Sequence, residues 1–244
     1  MNQFTRTEML FGKESIKIFQ SKRIAVMGLG GVGSYTAEAL SRSGIGHFLL
    51  VDFDKVSLSN LNRQLIALYS TLGQLKTEVM KERILDINPK AKVEIYSDFC
   101  AHESRDELLE NVDFVVDAID SLGPKAGLLE SCYRKEIPII SSMGAANRID
   151  PSKIKLVDIS ETKICPLAKK VRKYLHRRGI EKGIPVVYSW EKPITQFDYK
   201  AEVVEELVTQ RGRKRSTLGS VVYLPAIMGL WASSFILRKL ADKI

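Results

Sequence analysis

The stretch KRIAVMGLGGVGSYTAEAL, residues 22–40, decides the fold class of this chain. An apolar run ends in a glycine-rich turn, GLGGVG at 28–33, and a helical pattern follows the turn. Glycines permit a tight turn and let backbone N–H groups approach a phosphate at the N-terminus of a helix. Asp52 ends the next apolar run, where a carboxylate can bind ribose hydroxyls. The alternative interpretation is that this glycine turn serves only to pack the helix against the sheet and binds no nucleotide. The predicted cofactor-binding residues of this region are Gly28, Gly30, Gly31, Gly33 and Asp52.

Apolar runs and helical patterns alternate over the first 150 residues. The runs lie at 22–27, 47–51, 112–118 and 137–141, and the helical patterns lie at 33–42, 76–87 and 125–135. This alternation predicts an α/β fold of the Rossmann-like, doubly wound type with a mainly parallel sheet. One amphipathic helix at 8–20 is predicted before the first strand.

The alternation weakens after residue 150. Strands are predicted at 153–159 and 184–189, a basic helix at 166–178 and a polar connector at 190–217. No internal repeat is present, and the change is too gradual to mark an independent domain. We therefore predict one domain, 1–244, with a nucleotide-binding core at 1–150 and a mixed C-terminal extension at 151–244.

The net charge of +8 is unevenly distributed. Residues 1–150 hold 18 basic and 20 acidic side chains, whereas residues 151–244 hold 19 and 9. Eight lysines and arginines lie between Lys163 and Lys182, and a second basic group spans 211–215. A solvated basic face is the simplest interpretation, but such clustering is also the electrostatic footprint of a polyanion site.

The residues after the second predicted strand separate two nucleotide chemistries. A dinucleotide-dependent oxidoreductase would show the same glycine turn and the same acid. The stretch VDFDKVSLSNLNRQ, 51–64, adds a second acid, Asp54, with amides and an arginine, and Lys76 opens the next helix. Arg63 and Lys76 could neutralise phosphates as pyrophosphate leaves, and Asn60 could donate hydrogen bonds to them. The set favours a nucleoside triphosphate over NAD.

Asp120 lies just past the C-terminal end of the predicted strand at 112–118, where ligands bind in open α/β sheets. A carboxylate there can hold Mg²⁺ against triphosphate oxygens. The alternative is that Asp120 caps the helix that follows it. Asp117 lies within the strand and either faces the same pocket or pairs with a neighbour.

Taken together, these residues resemble the ubiquitin-activating-enzyme-like family of ATP-dependent carboxylate activators. The shared motifs are GxGGxG, DxDxVxxSNxxRQ, GxxK and DxxD, in order over residues 28–120. The resemblance implies that Gly31, Asp52, Asn60, Arg63 and Lys76 bind ATP and that Asp120 holds Mg²⁺. It also implies a homodimer in which Arg6 reaches the ATP of the neighbouring subunit. The catalytic residues implied are Arg6, Arg63, Lys76 and Asp120.

The cysteines narrow the choice within the family. Cys100, Cys132 and Cys165 include no CxxC pair, which excludes a disulfide scaffold and a four-cysteine zinc site. Adenylation of the C-terminus of a ubiquitin-like or sulfur-carrier protein is the alternative function, and family members that hand on an activated carboxylate commonly carry such a zinc site. A nucleophilic Cys165 would need a base or a lowered pKa, so we expect no covalent intermediate there.

Within the family, the chain resembles most closely the tRNA threonylcarbamoyladenosine dehydratases. The motifs SLGPK at 121–125, GAANRIDP at 144–151 and VVYSWEKP at 186–193 carry this finer match. It implies ATP-dependent activation of the threonylcarbamoyl carboxylate on the adenosine beside the anticodon, followed by ring closure with loss of water. The partners implied are the modified tRNA, which faces the basic extension, and a sulfur-relay protein of the cysteine desulfurase system; a monovalent cation near the 140s loop is a further candidate.

Two features bear on location. The N-terminus lacks the apolar run of a secretory signal, so we expect a cytoplasmic protein. Residues 218–237 contain no charge and just reach the ~20 residues that a membrane span needs. Pro225, Gly229 and a serine pair lower the hydrophobicity of this segment, and one sheet face needs a covering helix. We therefore predict a buried core helix, with membrane association through this segment as the alternative.

Overall fold

A computed structural model describes residues 2–98, 102–194 and 218–243 of the chain. One seven-stranded sheet runs through it in the order β3-β2-β1-β4-β5-β7-β6. Six strands are parallel, and β6 at the edge pairs antiparallel with β7. The strands are β1 Arg23–Met27, β2 His47–Val51, β3 Lys92–Tyr96, β4 Phe114–Asp117, β5 Ile139–Ser142, β6 Ile154–Asp158 and β7 Pro185–Ser189. The predicted Rossmann-like fold with a mainly parallel sheet is confirmed.

Helices cover both faces of the sheet. They are α1 Thr5–Phe11, α2 Lys13–Ser21, α3 Gly33–Arg42, α4 Lys76–Ile87, α5 His102–Leu108, α6 Leu122–Arg134, α7 Pro166–His176 and α8 Tyr223–Leu240. Apolar side chains of α2, α3, α4 and α8 form one core with alternate residues of the strands, and those of α6 and α7 form the other core. Because successive side chains of a strand point to opposite faces, strands buried on both sides are apolar throughout.

The order of the strands places a crevice at one edge of the sheet. From β1 the chain proceeds to β2 and β3 on one side, and then returns to β4 on the other side. The carboxyl ends of β1 and β4 therefore border the point where the strand order reverses, which is where open α/β sheets bind ligands. The glycine turn follows β1 and Asp120 follows β4.

Some predicted elements differ from the structure. The helix predicted at 8–20 is two helices, because Gly12 between them has φ +88°, a conformation that interrupts a right-handed helix. Strand β3 and helix α5 were not predicted. The side chains of β3 are exposed or half-buried, so the strand lacks the apolar run that marks the central strands. Helix α6 begins three residues before its predicted start, at Leu122.

The basic and apolar segments near the C-terminus form helices α7 and α8. Helix α8 buries Leu224, Met228, Ala232 and Ile236 against the sheet, as the core-helix prediction requires. Within the described ranges, no helix combines the length and apolarity needed to cross a membrane. Most of the predicted connector at 190–217, the basic group at 211–215 and Cys100 lie outside the described residues.

Candidate active site

The glycine turn joins β1 to α3 at the crevice. The backbone N–H of Gly28 donates to the carbonyl of Val51 at 2.7 Å, which ties the turn to the end of β2. Gly28 has φ +93°, and a Cβ at this position would lie 2.9 Å from the carbonyl oxygen of Ala118. A Cβ at Gly33 would collide with the carbonyl oxygen of Gly28. At Gly30, by contrast, the nearest atom to a Cβ would be 3.9 Å away, on Gln64. Packing requires the outer glycines, and Gly30 is left with room for a ligand.

Asp52 connects the turn to the residues after β2. Its Oδ2 accepts a hydrogen bond from the backbone N–H of Leu29 at 2.6 Å, and its Oδ1 accepts one from Asp54 at 2.8 Å. Burial raises the pKa of the Asp52 carboxyl group above 3.8, and the attraction of Lys76 only partly offsets that rise. The carboxylate is held at the mouth of the glycine turn, where the ribose of a nucleotide is expected.

Lys76 is buried at the first position of α4. Its Nζ lies 2.8 Å from Oδ2 of Asp54, and the lysine side chain is 5% exposed against 50% for the aspartate. The backbone N–H of Lys76 also donates to the carbonyl of Asp54. Asp54 therefore holds the ammonium group of Lys76, which also attracts the Asp52 carboxylate.

The segment after Ser57 lies against the glycine turn. Asn60 is buried in the short 3-10 helix Leu58–Asn60, where its Oδ1 accepts from the backbone N–H of Ser57. The Arg63 guanidinium is half-buried and donates to the carbonyl of Ser59 at 2.7 Å. A Cβ at Gly31 would lie 3.3 Å from the carbonyl oxygen of Arg63, so this segment and the turn are neighbours.

Asp120 lies exposed beyond the end of β4, two residues before α6. The N-cap position of α6 is Ser121, so Asp120 is not the capping residue of this helix. No group of three or more His, Cys, Asp or Glu side chains within the described ranges could hold a metal. Mg²⁺ in nucleotide sites is commonly bound by one or two carboxylates together with substrate phosphates, and a single exposed Asp120 fits that mode.

A buried ion pair supports the turn that carries Asp120. Asp117 and Lys125 are both fully buried, and Oδ2 of Asp117 lies 2.6 Å from Nζ of Lys125. Ser141 donates to the same carboxylate oxygen at 2.6 Å, and Lys125 also donates to the carbonyl of Ser142. Oδ1 of Asp117 accepts from the backbone N–H of Ile119. Asp117 thus pairs with a neighbour, as one of its two sequence interpretations proposed, and it fixes the backbone immediately before Asp120.

The buried Arg148 organises the loop after β5, a role that was not predicted from the sequence. The guanidinium of Arg148 donates to the carbonyls of Gly144, Ala146 and Glu191. The carboxylate of Glu191 accepts in return from the backbone N–H groups of Ile149 and Asp150. Both residues belong to motifs already quoted, GAANRIDP and VVYSWEKP, so the structure brings these two motifs into contact.

Arg6 and Cys165 lie apart from this cluster. Arg6 is exposed on α1, and no contact joins it to the residues of the glycine turn within the described part of one chain. Cys165 precedes α7 and is buried, with 1% of its surface exposed, in the core under that helix. This burial agrees with the expectation that Cys165 is not a nucleophile.

Comparison with known proteins extends over the whole chain. The ThiF family model matches residues 4–243. A Bacillus subtilis protein named tRNA threonylcarbamoyladenosine dehydratase is 42% identical over 246 residues, which cover 100% of this chain and 96% of the relative. The crystal structure of the Escherichia coli tRNA N6-threonylcarbamoyladenosine dehydratase in complex with ATP superposes with a TM-score of 0.86 at 35% identity, covering 99% of this chain and 94% of that one.

A more distant relative shares only part of the chain. The Escherichia coli molybdopterin-synthase adenylyltransferase is 32% identical over 139 residues, which cover 57% of this chain and 54% of the relative. The similarity to the dehydratases therefore extends over helices α7 and α8 and over the loop that follows β5. The match to this adenylyltransferase covers little more than half of the chain.

Proposed function

The chain belongs to the ThiF family, and we propose that it is an ATP-dependent tRNA threonylcarbamoyladenosine dehydratase. The observation that carries the proposal is the meeting of the glycine turn, Asp52 and the Ala118–Asp120 backbone at one edge of the sheet. Full-length similarity to dehydratases, one of them solved with ATP, supports the same activity. The alternative, adenylation of a carrier protein, is supported only by the shorter similarity to an adenylyltransferase.

In this proposal, different residues of the site bind different parts of ATP. Backbone N–H groups of the glycine turn bind phosphate oxygens at the N-terminus of α3, and Asp52 binds the ribose. Lys76 and Arg63 are the cations that we propose to balance negative charge on the phosphates. Because Asp54 holds the Lys76 ammonium at 2.8 Å, the phosphates of ATP would have to compete for this cation. Asn60 would donate from its Nδ2 to the phosphates, while its Oδ1 accepts the hydrogen bond from the backbone N–H of Ser57.

Asp120 would hold Mg²⁺ at the mouth of the crevice. The metal ion, when bound with ATP, neutralises charge on the phosphate oxygens. The contribution of the protein is to fix the backbone that carries the carboxylate, through the hydrogen bond from Ile119 to Asp117 and the Asp117–Lys125 pair. Within this proposal, Asp120 is the metal ligand, and Arg6, Arg63 and Lys76 are the catalytic cations.

The chemistry proceeds in two displacements. A carboxylate oxygen of the threonylcarbamoyl group attacks the α-phosphorus of ATP, and pyrophosphate leaves. An internal nitrogen or oxygen of the same group then attacks the acyl carbon, closing the ring as AMP leaves with the former carboxylate oxygen. The tethered nucleophile needs mainly orientation, which can supply a large part of the rate enhancement. A crystal structure of the Escherichia coli dehydratase with AMP supports adenylate chemistry.

The basic C-terminal part is the proposed tRNA-facing surface. Helix α7 buries Ala168, Val171 and Leu175 and leaves Lys169, Lys170 and Lys173 exposed on its other side. Rows of exposed cations bind nucleic acid mainly through phosphates, so this contact is expected to be strongly dependent on salt.

The assembly and its surroundings are part of the same proposal. We propose a homodimer in which Arg6 of one subunit completes the ATP site of the other. The exposure of Met9 (74%) and Leu10 (81%) on the same helix supports burial of α1 against a second copy. We also propose a cytoplasmic location, because the N-terminus lacks the apolar run of a secretory signal. A monovalent cation near the loop after β5 and docking of a sulfur-relay protein are proposals that come from the family resemblance.

The direct test is the mass of the modified nucleoside. The protein is incubated with ATP, Mg²⁺ and tRNA that carries threonylcarbamoyladenosine. The tRNA is then digested to nucleosides, and their masses are measured by mass spectrometry. The expected result is loss of one water, with no change when ATP is omitted or when Asp120→Asn replaces the wild-type protein. An unchanged nucleoside across several modified tRNAs, combined with carrier-dependent exchange of pyrophosphate into ATP, would favour the adenylyltransferase instead.

A further inference from the structure

A cleft of about 330 Å³ lies between α6 and α7 on the sheet face opposite α8. We call it the α6–α7 cleft. Its walls carry three arginines, Arg105 from α5, Arg134 from the end of α6 and Arg178 after α7, together with Glu130 and Tyr174. None of these residues belongs to the ATP site described above.

The cleft has an excess of positive charge. Glu130 is the one acidic residue among its lining residues, and it pairs with both Arg178 at 2.8 Å and Arg134 at 3.2 Å. The adjacent acid of α5, Asp106, pairs with Lys135. The cleft is thus lined by three guanidinium groups and one carboxylate, which gives these four groups a net charge of about +2 at neutral pH. An anion is the ligand that such a cleft would attract.

Arg105 lines the cleft and has a hydrogen-bond donor without a partner among the described residues. The residue is 92% buried, since only 8% of its surface is exposed. Its Nη1 donates to Oγ of Ser131 at 3.3 Å, whereas its Nε is buried and lacks an acceptor among the described residues. A buried donor without a partner is costly, and a phosphate oxygen is the acceptor that best matches a guanidinium fork.

Gly127 makes room for this guanidinium. It lies in the middle of α6, where glycine is less favourable than alanine. A Cβ at this position would lie 2.8 Å from Nη1 of Arg105. The packing of the Arg105 head group against the helix thus depends on the absence of a side chain at Gly127.

We propose that the α6–α7 cleft binds a backbone phosphate of the tRNA substrate, close to the modified nucleotide. The inference rests on the proposed function. One end of the cleft is lined by Gly123, three residues after Asp120, and the other by Arg134, about 16 Å further along the helix. The cleft therefore starts beside the ATP site and ends beside the basic helix α7. A polyanion that reaches the active site would follow this path.

The stacking of Arg178 suits a phosphate contact. Its guanidinium lies over the Tyr174 ring at 3.5 Å from the ring centre, and the pairing with Glu130 uses its Nε. Stacking and pairing hold the group in one orientation, so less conformational entropy is lost when it binds an anion. Arg178 is thus held in one orientation in the wall of the cleft that Arg105 also lines.

The test compares tRNA binding by full-length variants as a function of salt. Arg105→Gln should weaken tRNA affinity about tenfold and reduce the slope of log Kd against log salt by about one, because one phosphate contact is lost. The matched control is Arg42→Gln on α3, which removes the same charge on the opposite face and leaves Glu38 paired with Arg83. This control should change tRNA affinity less than about twofold, and ATP affinity should be unchanged in both variants.

A second variant tests the same proposal if Arg105→Gln fails to fold. Gly127→Ala adds one methyl group, favours the helix and displaces the Arg105 head group, so it should fold normally and still weaken tRNA binding. If the wild type binds tRNA and both variants bind it equally well, the cleft proposal is wrong and the proposed function stands. If the wild type binds no modified tRNA, the proposed function itself fails.

A further experiment with inorganic phosphate tests whether the cleft binds a small free anion instead of a tRNA phosphate. A rise of the wild-type melting temperature in phosphate relative to chloride at equal ionic strength, absent in Arg105→Gln, should accompany the loss of tRNA affinity. The same rise with unaltered tRNA binding by the variants would assign the cleft to a small anion and overturn the tRNA assignment.

Discussion

The Asp117–Lys125 pair shows how a buried charge is tolerated in this protein. Lys125 Nζ has three partners, the carboxylate of Asp117, the hydroxyl of Ser141 and the carbonyl of Ser142. A buried ion pair gains little over an apolar pair, but removing one partner leaves the other charge buried without compensation. The pair is therefore better understood as a support for the Asp120 turn than as a source of stability.

We predict that Lys125→Met lowers the free energy of unfolding by about 3–5 kcal/mol. The double variant Lys125→Met with Asp117→Leu should lose less than the sum of the single losses, because no isolated charge remains. Denaturant unfolding of the four proteins in a double-mutant cycle measures the difference. A loss below about 1 kcal/mol for Lys125→Met would show that Asp117 finds another partner.

The raised pKa of Asp52 predicts a dependence of stability on pH. Because burial makes the folded protein hold the Asp52 proton more tightly than the unfolded chain, this residue stabilises the fold below a pH of about 3.8. That contribution is lost as the pH rises through the pKa of the folded state. The stability of Asp52→Asn relative to wild type should therefore increase as the pH rises above about 3.8, and ATP binding should be weaker in the variant.

Asp150 provides a control in which stability is expected to depend on pH in the opposite direction. The hydroxyl of Ser152 lowers the pKa of the Asp150 carboxyl group, so its contribution is present above the pKa of the unfolded chain and lost as the pH falls through the pKa of the folded state. Unfolding curves of Asp52→Asn and Asp150→Asn over the same pH series should diverge from wild type in opposite directions. Parallel curves would contradict the assignment of a desolvated carboxylate at Asp52.

At the level of elements, helices α3 and α8 are in close contact beside the glycine turn. The hydroxyl of Thr36 on α3 donates to the carbonyl of Gly229 on α8 at 3.1 Å. A Cβ at Gly229 would lie 2.5 Å from the carbonyl oxygen of Val32, the N-cap residue of α3. The position of the turn therefore depends on a helix that follows it by about 200 residues in the sequence.

We predict that Gly229→Ala destabilises the protein by about 1–3 kcal/mol, although alanine favours a helix. The turn should shift with α3, so ATP affinity should also fall. Gly123→Ala in the first turn of α6 is the control for stability, since a Cβ there meets nothing within 4 Å. Thermal unfolding and ATP titration of the two variants test the contrast, and equal stabilisation by both substitutions would contradict it.

Elements with clear termini could be predicted from the sequence. Helices α3 and α4 match their predicted bounds because a glycine turn begins one and Asn88-Pro89 ends the other. Strand β3 could not be predicted because edge exposure removes the apolar run. The glycines, acids and cations of the site were evident from motifs, whereas the partners of Asp117 and Arg148 depend on which buried atoms meet, which sequence spacing does not specify.

For the whole molecule, the basic C-terminal part is built onto the same sheet as the ATP-binding part. Strand β7 pairs in parallel with β5, and β6 completes the edge. Helix α8 packs on α3 in the core of the opposite face. Residues 151–244, which hold the excess of basic side chains, therefore add two strands to the same sheet and one helix to each of its faces.

The proposed dimer predicts complementation between inactive variants. Arg6→Ala lacks the arginine that reaches the neighbouring site, and Asp120→Ala lacks the metal ligand of its own site. A mixed dimer would contain one intact site, built from Asp120 of one subunit and Arg6 of the other. Equal mixing after subunit exchange should restore roughly a quarter of wild-type activity. Activity no higher than that of the separate variants, with exchange verified by mass, would contradict the shared site.

The central claim is that ATP activates the threonylcarbamoyl carboxylate. The most direct measurement uses modified tRNA in which both carboxylate oxygens are a heavy isotope, with mass spectrometry of both the nucleoside and the nucleotide products. The account predicts one labelled oxygen in AMP for each cyclised nucleoside. Cyclisation with unlabelled AMP, or with the label in inorganic phosphate, would contradict it.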